Sequence, residues 1–453
     1  MQRSNLTYIN SGLGFSTCCR LIDEFLLTRP QSQTLHLIIT TRDGRKNSDT
    51  LQRLHKHVLK NNTAADGSPL SKSLLDKRLQ LEGQLLDLCS LVTVKALAKR
   101  LLDRGTRIDV LVLNAGIGGW SGMNWPLAAW SMATDFLNAC TYPVYKLGYI
   151  GRVLPSQVPG STNARVAGVQ GDGRGGAVDI KDDEPALGEV FTANVFGHYM
   201  LAHYLVPLLR PTTTSTSSSS SSSPHAGRII WVSSIEAYAH ALRLDDLQGL
   251  KTDAPYESSK RLTDLLALTS ELQSTKPYTS GFFASDDRSD EDHDAERRPK
   301  MYVSHPGICG TSISGLNALL NLFTVWALYL ARWLGSPWHT IDPYVGAVAP
   351  AWLALAPYAT LEQHEQDGAK GKWGSSTDVG GNERVIMTEV SGWGWSGKVG
   401  ETADGSMRSR KGRWKGMQDV TAESREEFEE SGRQVWREME ELRVDWERRL
   451  EGV

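Results

Sequence analysis

The amino-acid sequence predicts an α/β fold, a doubly wound parallel sheet with surface insertions and a helical C-terminal extension. Three observations predict it. Short apolar runs rich in β-branched residues alternate with longer stretches of helical spacing through the first three hundred residues. The glycine-bearing turn Asn10-Ser-Gly-Leu-Gly14 precedes a helix and then the run LHLIITT. A charged, helix-forming tail closes the chain. Alternation of this kind lays helices over both faces of a parallel sheet.

The strand candidates, in order, are 35–41 (LHLIITT), 84–88 (QLLDL), 108–113 (IDVLVL), 228–233 (RIIWVS) and 301–305 (MYVSH). Each is short and bounded by polar or turn residues. Segments 159–176, 212–223 and 285–300 are respectively Gly-rich and polar, unbroken Ser/Thr, and dominated by Asp, Glu and Arg. Such stretches bury too little apolar area to offset their ordering entropy, so they read as surface insertions. Residues 316–334 (LNALLNLFTVWALYLARWL) approach the length of a membrane span, but Asn317, Asn321 and Arg332 interrupt them. A buried core helix, an in-plane amphipathic helix and a spanning helix all remain open. In 423–450, Val435, Trp436, Met439, Leu442 and Trp446 recur at helical spacing, which predicts a surface helix packed by one face. The expected divisions are 1–315 for the main domain, 316–358 for the apolar membrane- or substrate-facing segment, and 359–453 for the C-terminal extension.

A chain of 453 residues can bury a large core without metals or disulfides. With 49 basic against 52 acidic residues, no global field favours nucleic acid or an anionic membrane. Cys18, Cys19, Cys89, Cys140 and Cys309 have no metal-ligand spacing and read as buried thiols of a reducing compartment. No secretory signal stands at the N-terminus, so the catalytic part is expected to face the cytosol.

The strongest chemical signal is Tyr256-Glu-Ser-Ser-Lys260, because residues four apart share one face of a helix. An ammonium beside a phenol favours the phenolate and lowers its pKa, making a tuned proton donor. Alone, such a pair is common; the context singles it out. The strand RIIWVS ends in Ser233 and Ser234, and Ser234 is the better placed to hold a carbonyl oxygen near the phenol. Asn114-Ala-Gly116 follows IDVLVL, where small residues admit a cofactor to the backbone. Asn194, inside the apolar helix opening at Phe191, can anchor a water leading to Lys260. The glycines at 12 and 14 let a pyrophosphate reach helix N–H groups. Arg42 after LHLIITT, with Lys46, favours the extra phosphate of NADP(H) where an acidic residue would favour NAD.

With Asn114-Ala-Gly116, Ser234, Tyr256-x-x-x-Lys260 and His305-Pro-Gly307 in this order, the chain resembles the short-chain dehydrogenase/reductase family over about residues 5 to 315. Within it the likeness is to the fungal 3-ketosteroid reductases of ergosterol biosynthesis, relatives of the animal 17-beta-hydroxysteroid dehydrogenases. The stretches 193–199 (ANVFGHY), 256–262 (YESSKRL) and 329–339 (YLARWLGSPWH) carry it. The resemblance implies a Rossmann-type sheet and an NADPH-dependent reduction of a sterol 3-ketone. Tyr256 would be the proton donor, Lys260 its partner and ribose ligand, Ser234 the carbonyl anchor and Asn194 the relay. It also places Ser11, Gly12, Leu13, Gly14, Thr41, Arg42, Lys46, Asp87, Asn114, Ile308 and Thr311 at NADP(H), together with Asn194, Tyr256 and Lys260. Other enzymes of sterol C-4 demethylation and a membrane surface are the implied partners, at the endoplasmic reticulum or lipid droplets. One departure is Tyr8, which stands where the family has its first glycine, after a run (MQRSNL) too short and polar for a good central strand. A different natural N-terminus is the expected reason. Reduction of another lipid ketone, and a catalytically weak scaffold for sterol enzymes, stay open as alternatives.

Overall fold

The computed structural model describes residues 2–8, 12–61, 72–158, 184–211, 225–284, 298–310, 318–365, 370–400 and 412–452. The expected insertions at 159–176 and 212–223, and most of 285–300, lie outside the described residues, as do Ser11 and Thr311.

Ten strands are described: β1 Gln2–Tyr8, β2 Thr34–Thr41, β3 Leu79–Leu85, β4 Val110–Leu113, β5 Trp120–Met123, β6 Lys146–Gly148, β7 Arg228–Val232, β8 Lys300–His305, β9 Lys372–Thr377 and β10 Glu383–Thr388. Eight form one sheet in the order β10-β9-β8-β7-β4-β1-β2-β3. All are parallel except β10, which returns antiparallel along β9. The order reverses between β1 and β4, which opens the crevice where doubly wound sheets bind ligands. Thr41, Leu113, Val232 and His305 end their strands on that side.

Three expectations about strands need correction. The polar run 2–8 does form a central strand, in register with β2 (Tyr8 opposite Thr40) and with β4 (Thr7 opposite Val112). Backbone pairing on both sides holds a segment whose composition alone argues against a strand. β3 lies five residues earlier than 84–88, since LQLEGQL alternates on the pleat and Leu86 then donates its N–H to the Thr41 carbonyl at 2.8 Å. Segment 84–88 therefore holds the strand's end and the turn to Asp87. The sheet also continues past residue 315, into the expected C-terminal extension, where β9 is buried at every position.

Apolar residues cover both faces. One cluster joins the helices Leu91–Arg104, Gly197–Leu209, Pro255–Thr269 and Ala422–Leu450 to the sheet. The other joins Leu13–Thr28, Gly44–Asn61 and Val348–Leu355. Ala422–Leu450 opens on a capping box between Thr421 and Ser424 and buries Val435, Trp436, Met439 and Trp446 of the expected stripe, with Leu442 half-buried, and Phe428 besides. Removing a fully buried Trp such as Trp436 would cost about 3–5 kcal/mol.

The apolar run forms the helix Ala318–Trp333. Leu328 and Ala331 are buried, whereas Phe323, Trp326, Leu330 and Trp333 are exposed, so it is no core helix. Among the described residues, no single helix is long and apolar enough to cross a membrane. Of the five cysteines, all free thiols, Cys18, Cys19 and Cys140 are buried, but Cys89 and Cys309 are only partly so.

Candidate active site

β7 delivers Ser233 and Ser234 to the crevice. The helix Pro255–Thr269 starts on a proline, whose missing N–H costs nothing in a first turn, and sets Tyr256 and Lys260 one turn apart. Ser233 turns inward: its hydroxyl donates to Asp264 Oδ1 at 2.6 Å. Ser234 Oγ accepts the Glu236 N–H at 3.2 Å and hydrogen-bonds the Tyr256 phenol. Lys260 Nζ lies 5.7 Å from the Tyr256 ring centre and donates to the Val232 carbonyl at 2.9 Å. Burial lowers its pKa to about 8, with Asp264 opposing and Lys372 assisting. The expected lowering of the phenol pKa is not what these surroundings produce. Burial and the carboxylates of Glu236 and Glu257 push Tyr256 up, and only the Ser234 hydrogen bond pulls it down.

Asn194 sits in a π-helical turn, Thr192–Phe196, that interrupts the expected α-helix. Such turns re-aim a side chain. Its amide spans the loop after β4: Oδ1 accepts the Ile117 N–H at 2.7 Å, and Nδ2 donates to the Ile117 carbonyl at 3.0 Å and to Ser259 Oγ at 2.9 Å. One turn on, His198 Nε2 donates to the Ala115 carbonyl at 2.9 Å. Burial keeps that ring neutral, with its pKa at about 4. Both side chains clamp Asn114-Ala-Gly116. A Cβ on Gly116 would stand 2.9 Å from Asn194 Oδ1 and 3.8 Å from Lys260 Nζ, so the loop requires glycine here.

At the opposite end of the crevice, Gly12 caps the helix Leu13–Thr28 with φ +58°, a conformation open to glycine, and as a glycine it supplies no capping side chain. Leu13 and Gly14 form its first turn, with Gly14 buried. Thr41 ends β2, and Arg42 beyond it is exposed. Lys46 is also exposed; its N–H binds Asp43 Oδ1 at 2.8 Å and its ammonium lies 3.8 Å from Asp43 Oδ2. Asp87 and Asn114 are half-buried after β3 and β4. Ile308 follows the His305-Pro-Gly307 turn, where its N–H donates to the Trp338 carbonyl at 2.7 Å. A helix N-terminus capped by a glycine of positive φ and a cation at the second strand's mouth fit a dinucleotide phosphate.

Several groups beside Tyr256 escaped the sequence reading. The hairpin of β5 and β6 brings Trp120 edge-on to Tyr256, ring centres 5.4 Å apart. Lys146 lies 4.2 Å above the Trp120 ring and 5.6 Å from that of Tyr256. Its ammonium pairs closely with Glu236 and lies 3.9 Å from Glu257. Burial and Glu236 raise the Glu257 carboxyl to about 7, with Lys146 opposing. Beyond Ser234, an apolar wall of Tyr142, Ile235, Tyr238 and Trp338 borders Ile308 and Trp414. Tyr142 and Trp414 also line a cleft of about 380 Å³ with Leu137 and Met417.

No family model matches the chain. It is 45% identical over 456 residues to the 3-keto-steroid reductase of Aspergillus fumigatus, covering 98% of this chain and 94% of that one. It is 38% identical over 477 residues to the 3-keto-steroid reductase of Gibberella zeae, covering 98% and 93%. Among solved structures it is similar to actinorhodin polyketide ketoreductase with NADPH: 16% identical, covering 79% of this chain and 92% of that one, with a TM-score of 0.40.

Proposed function

The chain belongs to the 3-keto-steroid reductase family, and we propose that it reduces the 3-ketone of a sterol intermediate to the 3-hydroxysterol with NADPH, in the C-4 demethylation stage of ergosterol synthesis. The observation that carries this reading is the convergence of Ser234, Tyr256 and Lys260 at the mouth of β7. NADPH, when bound, supplies a hydride to the ketone carbon. The Leu13–Thr28 N-terminus and Arg42 would hold its phosphates, and Lys260 its nicotinamide ribose.

The chain's own groups manage the proton. Ser234 donates a hydrogen bond to the ketone oxygen and fixes it beside the phenol. Tyr256 gives its proton to that oxygen as negative charge develops there. Glu236 and Glu257 keep the phenol protonated until that moment, which suits reduction. Lys260 steadies the phenolate left behind, while Asn194 and His198 keep the loop after β4 in place. The buried cluster of Tyr142, Ile235, Tyr238 and Trp338 packs next to Ser234 and keeps water from that side of the site.

A sterol partitions into membranes, and the exposed Phe323, Trp326, Leu330 and Trp333, with Trp125 and Trp130 on the helix Trp125–Thr134, supply aromatic and aliphatic surface for the lipid interface. We infer peripheral attachment to the endoplasmic reticulum or lipid droplets, with other enzymes of C-4 demethylation as neighbours and the catalytic domain in the cytosol.

The test incubates membranes carrying the protein with NADPH and a 3-ketosterol. A 3-hydroxysterol and NADP are expected in equal amounts. NADPH binding without sterol turnover would point to another lipid ketone, and absence of both would favour a scaffold.

A further inference from the structure

Beneath Ser234 lies an ion pair that the reaction scheme does not use. Lys372, the first residue of β9, is buried and donates to the Ser234 carbonyl at 2.6 Å and to Asp264 Oδ2 at 2.6 Å. Asp264 is fully buried, and its other oxygen accepts the Ser233 hydroxyl at 2.6 Å. Asp264 stands one helical turn after Lys260 and two after Tyr256, so the three share a stripe of the helix. Ser233 also donates to the Lys260 carbonyl at 3.2 Å, and Lys260 to the Val232 carbonyl at 2.9 Å. The Val232 carbonyl, the Ser233 hydroxyl and the Ser234 carbonyl are thus each tied to Lys260 or to this pair.

We propose that Asp264 and Lys372 are positioning residues for ketone reduction: Lys372 anchors the strand end that presents Ser234, and Asp264 is the counter-ion that keeps Lys260 cationic. Stability does not account for the pair, because well-packed apolar residues in place of a buried ion pair are commonly neutral or stabilising. The charges around it are few. Lys260 faces Asp264, Lys372, the Tyr256 ring and the neutral ring of His198. Asp264 also faces Arg261, and Lys372 faces Arg261 and the neutral His305. Asp264 favours the charged form of Lys260 and Lys372 disfavours it, so the two residues act on it with opposite signs. This inference rests on the reductase reading of the site.

The experiment compares wild type, Asp264→Asn, Lys372→Met and the double variant, measuring melting temperature, NADPH affinity by fluorescence and kcat/KM from pH 6 to 10. Asp264→Asn is expected to move the alkaline limb to lower pH and Lys372→Met to higher pH, each by about one pH unit. Lys372→Met should also lower kcat about tenfold through misplacement of Ser234, with NADPH affinity at pH 7 within threefold of wild type. In Lys372→Met, Arg261 and Lys260 remain as partners for Asp264, so folding is expected. The double variant keeps an acceptor for Ser233 and removes both members of the pair together, and it should fold with the same tenfold loss of kcat. A purely structural pair would lower activity without opposed pH shifts, and limbs that stay together or move the same way would overturn the proposal. So would a double variant with wild-type kcat, or failure of all three variants to fold. If wild type turns over no 3-ketosterol, the reductase reading fails instead. The pH dependence of NADPH binding still reports the opposed shifts of Lys260 in that case.

Discussion

Glu257 offers a direct test of the electrostatics around the phenol. Its carboxyl titrates at about 7 instead of 4.5, through burial and the adjacent Glu236. A carboxyl that holds its proton more tightly when folded makes the folded state most stable below pH 4.5, and that advantage is lost as pH rises through 7. At 1.36 kcal/mol per unit of pKa, the charged form costs about 3 kcal/mol at pH 8. Glu257→Gln keeps the shape and removes the charge. The variant should match wild type near pH 5 and be more stable at pH 8 by about 2–3 kcal/mol, a gain of several degrees in melting temperature. The same change removes one carboxylate that raises Tyr256, so the phenol's pKa should fall. Melting curves that run parallel from pH 5 to 8.5 would refute the reasoning.

Other perturbations reach the remaining parts of the site. Tyr256→Phe should lower kcat about a hundredfold to ten-thousandfold and leave NADPH affinity nearly unchanged; near-normal turnover would remove the phenol from its role. Arg42→Asp should weaken NADPH far more than NADH, since an anion would then face the phosphate, and equal weakening by fluorescence titration would move the phosphate site elsewhere. Gly116→Ala forces its Cβ into Asn194 Oδ1, and the displaced amide should cost about 1–3 kcal/mol in urea unfolding together with much of kcat. Replacing Phe323, Trp326, Leu330 and Trp333 with Ser should abolish cosedimentation with phosphatidylcholine vesicles while NADPH binding persists. Unchanged sedimentation would rule out this surface as the lipid contact.

What the sequence disclosed depends on how local each signal is. Tyr256 and Lys260 were legible because a helix converts a spacing of four into one face, and the strand RIIWVS leads straight to Ser234. The one-sided helix Ala422–Leu450 was legible through its Trp and Val spacing. Lys146, Glu236 and Glu257 were not, because they come from three separate elements and share no period. Asn194 was found, but its π-helical setting and its grip on Ile117 depend on packing around that turn. β9 was missed because KWGSST is polar and small, and only the covering helix and β10 make it a buried strand. β1 was misjudged for a related reason: its place is set by partners on either side more than by its own residues.

The packing of Ala422–Leu450 against Pro255–Thr269 bears on how the protein is made. The catalytic helix finds its outer cover in residues 422–450, and Lys372 of β9 emerges more than a hundred residues after Ser234. A nascent chain that has released the first six sheet strands still lacks the anchor beneath Ser234 and the apolar lid of Trp436 and Trp446. The site is therefore complete only once residues 372 and 422–450 have left the ribosome. Chains ending near residue 415 should stay protease-sensitive around Tyr256, whereas chains that include residues 422–450 should be resistant there.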